Sequence, residues 1–235
     1  MEPFAKALLA HAAGDSTTEL LIHRDDGLDV LLPVRHFFRG EEEFSDLEQK
    51  ALSLCSGHVL DVGAGAGIHS LVLQGRGIRV TALDLSPLVA ELLRRRGVED
   101  VVCSDFLDFK GGPFDSITLF GHGIGMAGTL AGLDPFLTHA GTLLNPRGWL
   151  LVDSLDVTAT DDPRHLQYQE QNRRAGRYVG ETRIRFGHAG EMGPYCPWLH
   201  IDPSTLSERA SPLGFAVEVV CQEESGEYLA RLTKR

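Results

Sequence analysis

The feature that most constrains this 235-residue chain is the run Asp61-Val62-Gly63-Ala64-Gly65-Ala66-Gly67. It closes the short apolar stretch His58-Val59-Leu60-Asp61-Val62 and precedes a helical pattern through Ser70-Leu71-Val72-Leu73. Alternating glycines between a strand and a helix let the backbone turn sharply and let a ligand approach without side-chain interference. A tight turn alone can call for glycine, so the spacing is the more informative observation. A dinucleotide-binding loop reads G-x-G-x-x-G and needs a third glycine at position 68. Ile68 stands there, and the spacing is G-x-G-x-G instead.

Beyond the glycines, apolar runs alternate with helical patterns. Ile78 to Leu83 reads as a second strand, Val98 to Cys103 as a third and Phe114 to Phe120 as a fourth. Ser86-Pro87 opens a helix running to about Arg96, since serine is a good N-cap and proline fits the first turn. A helix from about Thr129 to Leu144 precedes a turn at Asn145-Pro146-Arg147-Gly148, and Trp149 to Val152 is a fifth strand. This rhythm predicts βαβ units and a mainly parallel sheet covered on both faces. Phe215 to Val220 and Tyr228 to Leu232, joined by Glu223-Glu224-Ser225-Gly226, predict a terminal antiparallel hairpin. The expectation is one domain over 1–235. It has an N-terminal extension (1–56), a ligand-binding core (57–155), a cap insertion after strand five (156–202) and a C-terminal helix and hairpin (203–235). Within the insertion, Arg183-Ile184-Arg185-Phe186 alternates like a strand.

Composition narrows the partners. A net charge of -11 argues against nucleic acid, whose phosphates call for clustered Lys and Arg. The one dense basic run, Arg94-Arg95-Arg96, reads as a solvated helix end in the favourable field of the helix dipole. Cys55, Cys103, Cys196 and Cys221 are far apart and form no metal-binding pattern, so free thiols in a reducing cytoplasm are expected. No apolar stretch approaches membrane-spanning length, and the first residues lack the basic start and apolar core of a signal peptide. Neither a membrane nor a metal is predicted.

The landmarks, taken in order, resemble class I S-adenosylmethionine-dependent methyltransferases. Gly63, Gly65 and Gly67 match the family's first motif, and Asp84 ends strand two where a carboxylate can accept both ribose hydroxyls. Ser104-Asp105-Phe106 ends strand three, where the family places an acidic residue on the adenine amino group beside an apolar side chain. Phe114-Asp115-Ser116-Ile117 leads to Gly121-His122-Gly123, and Asn145-Pro146-Arg147-Gly148-Trp149 resembles the Pro-Gly-Gly turn with Arg147 in place of one glycine. The resemblance spans roughly 57–154. The remainder is similar to a bacterial subgroup marked by Leu151-Val152-Asp153-Ser154, Trp198-Leu199-His200-Ile201-Asp202 and Tyr228-Leu229-Ala230-Arg231. It implies a Rossmann-like, doubly wound α/β fold with a seven-stranded, mostly parallel sheet. It also implies S-adenosylmethionine as cofactor, held by Asp61, Gly63, Ala64, Gly65, Gly67, Asp84, Leu85, Asp105, Phe106 and Gly121. Plainer readings stand beside these: Asp84 as a helix cap, Asp105 as a turn former, Phe106 as core.

Methyl transfer from a sulfonium needs positioning above all, and a general base where the acceptor is protonated. His122, His200 and Asp153 are the candidate bases. The absence of an Asn-Pro-Pro-Tyr run after strand four disfavours nucleobase or glutamine amino groups as acceptors. The resemblance implies a small-molecule acceptor, and methylation on oxygen or nitrogen is expected over carbon. Residues 156–202 and the segment Arg35-His36-Phe37-Phe38-Arg39 are expected to cover the acceptor, with Arg39, Tyr178, Tyr195 and Trp198 as contacts; a homodimer contact is the alternative. Three competing functions remain at this point, one of them the transfer of another group from the same sulfonium. A nicotinamide-dependent oxidoreductase explains Asp84 but not the glycine spacing, and a non-catalytic S-adenosylmethionine-binding module would keep the cofactor site alone.

Overall fold

The structure is a computed structural model that describes residues 2–235, and the chain divides into two compact units. The first comprises Met1–Lys110 with Arg183–Cys196, the second Gly111–Thr182 with Pro197–Arg235. In chain order the first opens with α1 (Glu2–Ala12), β1 (Glu19–Arg24), β2 (Asp29–Pro33), α2 (Asp46–Leu54), β3 (His58–Val62), α3 (Ile68–Gly75), β4 (Arg79–Asp84), α4 (Pro87–Arg95) and β5 (Asp100–Cys103). Then come β6 (Phe114–Leu119), α5 (Leu130–Leu143), β7 (Leu144–Leu155) and α6 (Pro163–Arg174). The chain continues through β8 (Glu181–His188), β9 (Glu191–Met192) and β10 (Cys196–Leu199) to α7 (Pro203–Ala210), β11 (Phe215–Gln222) and β12 (Glu227–Lys234). A seven-stranded sheet has the order β11-β12-β7-β6-β3-β4-β5, and β12 is antiparallel to both its neighbours. The expected mostly parallel α/β sheet with a terminal hairpin is therefore what the chain forms.

In the first unit, β3, β4 and β5 pair in parallel, with Val59 beside Val80 and Leu83 beside Val102. Val59, Leu60, Asp61 and Val62 are all buried, as a strand covered on both faces requires. The α4 helix starts as its sequence predicts: the Ser86 hydroxyl accepts from the Val89 amide, and Pro87 occupies the first turn. It buries the stripe Val89, Ala90, Leu92 and Leu93.

The extension and the insertion turn out to be parts of one structure. β1 pairs with β2 on one side and with β8 on the other, placing Leu21 beside Gly187 and Ile22 beside Phe186. This smaller sheet has the order β10-β8-β1-β2, with β9 off β8. Hydrophobic burial explains the union. Ala5 and Leu8 of α1, Leu20 of β1, Phe186 of β8 and Val89, Leu92 and Leu93 of α4 share one buried cluster. Phe4 adds an edge-on contact to Phe37 at 5.2 Å and a tilted one to Phe186 at 5.7 Å.

In the second unit, α5 is capped by Thr129 and buries Leu133, Phe136, Leu137, Ala140 and Leu143. Arg209 of α7 forms a bidentate ion pair with Asp134 of α5. One expectation is corrected here: Asn145-Pro146-Arg147-Gly148 does not precede the strand but lies within β7. The ladder to β6 slips between the Phe114–Leu144 and Ser116–Trp149 pairs, so the four residues bulge out opposite Asp115. Arg147 takes a left-handed φ of 66° in the bulge, and the Asn145 amide donates to the Asp115 carboxylate at 2.7 Å. Regular pairing resumes at Trp149, the expected first residue.

A partly buried ionic knot ties residues of the N-terminal extension to α3. Glu48 completes a capping box with Ser45, lies 2.9 Å from Arg39 and 3.0 Å from His69 of α3. Burial raises the pKa of Glu48, but His69, the Ser45 amide and Arg39 outweigh it and hold the carboxyl at about 2, below its ordinary 4.5. A depressed acid stabilises the fold above its unfolded pKa and loses that contribution as pH falls through the folded one. Glu48→Gln should therefore cost on the order of 3 kcal/mol at neutral pH. Urea titrations of both proteins should show the gap narrowing below pH 4.5 and closing near pH 2; a gap independent of pH would mean that the pairing adds nothing.

Candidate functional site

The glycine run adopts a shape that only glycine accepts readily. Gly63, Gly65 and Gly67 have φ of 72°, 55° and 80°. The amides of Gly63 and Ala64 donate to the Leu83 carbonyl at 2.8 and 3.2 Å, which ties the end of β3 to the end of β4. Gly67 caps α3 at a point where a Cβ would meet Leu93 at 2.6 Å and Val98 at 3.2 Å. Gly65 is different, because a Cβ there would find only the Gly63 carbonyl, at 3.9 Å. The loop is thus packed at one end and open in the middle. Arg96 braces it by donating to the Ala66 carbonyl at 2.7 Å while its guanidinium lies 4.6 Å from the Phe38 ring. The basic run at the end of α4 is therefore not wholly solvated, as its sequence suggested.

Carboxylates at the strand ends have distinct partners. Asp61 is buried and accepts the Ser70 hydroxyl at 2.6 Å, linking β3 to α3. Asp84 accepts from the Ser86 amide at 2.9 Å and the Gly65 amide at 3.3 Å. Burial pushes its pKa up, against the pull of those two amides. Two amide bonds leave a carboxylate with unused lone-pair positions. Leu85, next along the chain, is 56% exposed. Asp105 is exposed and forms a turn by accepting from the Leu107 amide at 2.8 Å, whereas Phe106 is buried.

The second unit gathers four polar residues, the three candidate bases and one more. The Asp153 carboxylate accepts from the Gly121 amide at 3.0 Å and the His122 amide at 2.9 Å. That clamp holds both residues left-handed, Gly121 at φ 64° and His122 at φ 58°. The His122 Nε2 lies 3.6 Å from Glu227 Oε1, and its ring is 5.5 Å from the His200 ring, edge to face. Burial pulls the His122 pKa down, but the Glu227 and Asp153 carboxylates outweigh it and the net direction is up. Sequence reasoning missed Glu227. Its signal was present in the hairpin, whose register brings it to the same sheet face as Asp153 (Glu227 opposite Leu155, Leu229 opposite Asp153).

The expected acceptor contacts fall into two groups. Arg39 is committed to Glu48, and the Tyr178 hydroxyl donates to Asp202 at 2.5 Å while accepting from the Asp202 amide at 2.9 Å. Both are structural ties. Trp198 stacks its indole against Gly125 so closely that no side chain fits at that glycine. Tyr195 lies under the guanidinium of Arg185 at 4.7 Å, with Arg183 at 5.6 Å and His23 at 6.0 Å. Among the described residues no group of three or more His, Cys, Asp or Glu is arranged to hold a metal ion, and no helix is long and apolar enough to cross a membrane.

Comparison with known proteins places these features in context. The methyltransferase domain family matches residues 35–216. A solved S-adenosylmethionine-dependent methyltransferase from Bacteroides fragilis, in complex with S-adenosyl-L-homocysteine, is 32% identical, with a TM-score of 0.86 over 99% of this chain and 94% of that one. An amino pentose methyltransferase from Micromonospora echinaspora shares the fold at 17% identity and a TM-score of 0.53, over 81% and 89% of the two chains. A ubiquinone biosynthesis O-methyltransferase from Xylella fastidiosa is 31% identical over 121 residues, 48% of each chain. The chain thus spans about half the length of the curated relatives it matches.

The loop geometry separates two glycines by stability. Alanine at 67 meets both a left-handed φ and the Leu93 side chain, so Gly67→Ala should cost about 2–5 kcal/mol. Gly65→Ala meets only the backbone strain and should cost about 1–2 kcal/mol. Equal losses in chemical denaturation would show that the loop is not open at Gly65.

Proposed function

Because the chain belongs to the methyltransferase domain family, we propose that it is an S-adenosylmethionine-dependent enzyme that methylates oxygen or nitrogen of a small molecule. The observation that carries this reading is the open middle of the glycine loop together with the Asp84 carboxylate hydrogen-bonded to it. The residues present fit the cofactor. Asp84 keeps acceptor capacity for ribose hydroxyls, the glycines at 63 and 65 leave backbone uncovered by side chains for the methionyl part, and exposed Leu85 and Asp105 suit the adenosyl part. Asp61 supports by bracing the loop through Ser70, and buried Phe106 offers an apolar side chain beside Asp105. Bound S-adenosylmethionine supplies a methyl group on a sulfonium sulfur, whose bond to that carbon breaks with the electron pair left on sulfur.

The chain's own residues then have two tasks, orientation and proton removal. Of the candidate bases, Asp153 spends both oxygens on backbone amides, and this supports a clamping role. His122 and His200 retain imidazoles close to one another, and His122 is the better base because carboxylates raise its pKa. Tyr195, Trp198 and Gly121 are the remaining candidates for contacts to acceptor or cofactor. Among the described residues the four cysteines form no disulfide, which accords with a cytoplasmic setting. The oxidoreductase reading is dropped, since the family match and the glycine spacing both oppose it.

Asp84→Ala should weaken S-adenosylhomocysteine binding by at least ~2 kcal/mol, roughly thirtyfold in Kd, since hydrogen bonds to charged groups are worth about 1.5–3 kcal/mol each. Calorimetry on the folded variant checks it, and an unchanged Kd would return Asp84 to a purely structural role. A screen of hydroxylated and amino-bearing small molecules with isotopically labelled methyl donor then identifies the acceptor.

A further inference from the structure

We propose that Glu227 is a positioning residue that holds the His122 ring as the proton acceptor of the transfer step. This rests on the methyltransferase reading and goes beyond it by naming a dyad. Four observations carry it. His122 stands between two glycines, Gly121 and Gly123, in a left-handed conformation that disfavours a side chain, yet it carries an imidazole. Asp153 fixes that conformation by accepting the Gly121 and His122 amides, so the backbone sets the direction in which the His122 side chain leaves the chain. The ring Nε2 is 3.6 Å from Glu227 Oε1. The backbone that carries Glu227 is itself fixed: its carbonyl accepts from the Glu223 amide at 2.7 Å, and the preceding Gly226 carbonyl accepts from the Asp156 amide at 2.8 Å.

A carboxylate at Nε2 favours the proton on that nitrogen and leaves the lone pair of the neutral ring on Nδ1. The charged or titratable groups around the ring are Glu227 from β12, Asp153 from β7 and His200 from the segment before α7. Both carboxylates favour the imidazolium. The His122 side chain is 30% exposed, so a proton taken there can leave to water. The step balances. One electron pair of the acceptor atom forms the bond to the methyl carbon, the displaced proton passes to His122, and the imidazolium is held beside Glu227 until it loses that proton to solvent.

The test is a titration of the histidine ring signals of the full-length protein by NMR, without ligand, in wild type, Glu227→Gln and Glu227→Asp, with His122→Asn to assign the resonance. In Glu227→Gln the His122 midpoint should fall. The acidic limb of the kcat–pH profile should move to lower pH with it, and kcat should drop roughly tenfold at unchanged KM for the acceptor, a part of the 10²–10⁴ a positioned base contributes. Glu227→Asp should recover part of each effect. An unmoved midpoint overturns the proposal, and so does a midpoint that moves while the activity limb stays in place. Failure of the wild type to bind S-adenosylhomocysteine overturns the functional reading instead, while the ligand-free titration still decides the pairing.

Discussion

The left-handed turn at Gly63, Gly65 and Gly67 is the constraint on which the first unit depends. It lets β3 stop abruptly, return two amides to the Leu83 carbonyl of β4 and start α3 after five intervening residues. Its last glycine is the surface on which Leu93 and Val98 pack, so α4 is seated against the loop and not merely near it. Arg96, at the end of the same helix, then reaches back to the Ala66 carbonyl. A change in the loop would be felt in a helix that begins some twenty residues later. The α1 helix and the smaller sheet share the α4 cluster, and they inherit the same dependence.

Three aspartates illustrate how such a fold manages its strand ends. Asp61, Asp84 and Asp153 each sit at or near the carboxyl end of a parallel strand, where backbone amides run out of ladder partners. Each carboxylate supplies what the ladder no longer can: to the Ser70 hydroxyl, to the amides of Gly65 and Ser86, and to the amides of Gly121 and His122. Only Asp84 combines this with a place beside an open stretch of backbone. A carboxylate at a strand end is thus a weak sign of chemistry until its hydrogen bonds are counted.

What could be read from the sequence follows the range of the forces involved. β3 was legible to the residue, and β4, α4, α5 and the terminal hairpin to within a few residues, because strand periodicity, a Ser-Pro cap and a polar turn are local signals. The bulge in β7 was read as a turn because proline and glycine signal both, and only the register with β6 tells them apart. The pairing of β1 with β8 was not legible at all, since it depends on which hydrophobic faces meet across most of the chain. The same applies to Glu227, whose neighbour is more than one hundred positions away. Arg39 is illegible for another reason: Glu48 is only nine positions on, but side-chain pairing between two loosely patterned segments leaves no periodic signal.

That pairing of β1 and β8 has a consequence for how the chain is made. On the ribosome the N-terminal residues emerge first, and β1 can at once form its hairpin with β2. Its opposite edge must then wait until the strand bearing Ile184 and Phe186 has been synthesised. Throughout that interval a row of unpaired amides and carbonyls lies open beside apolar Leu20 and Ile22, the kind of edge that neighbouring nascent chains can join. The smaller sheet is therefore the last part of the first unit to close, and its closing removes a surface on which newly made copies could aggregate.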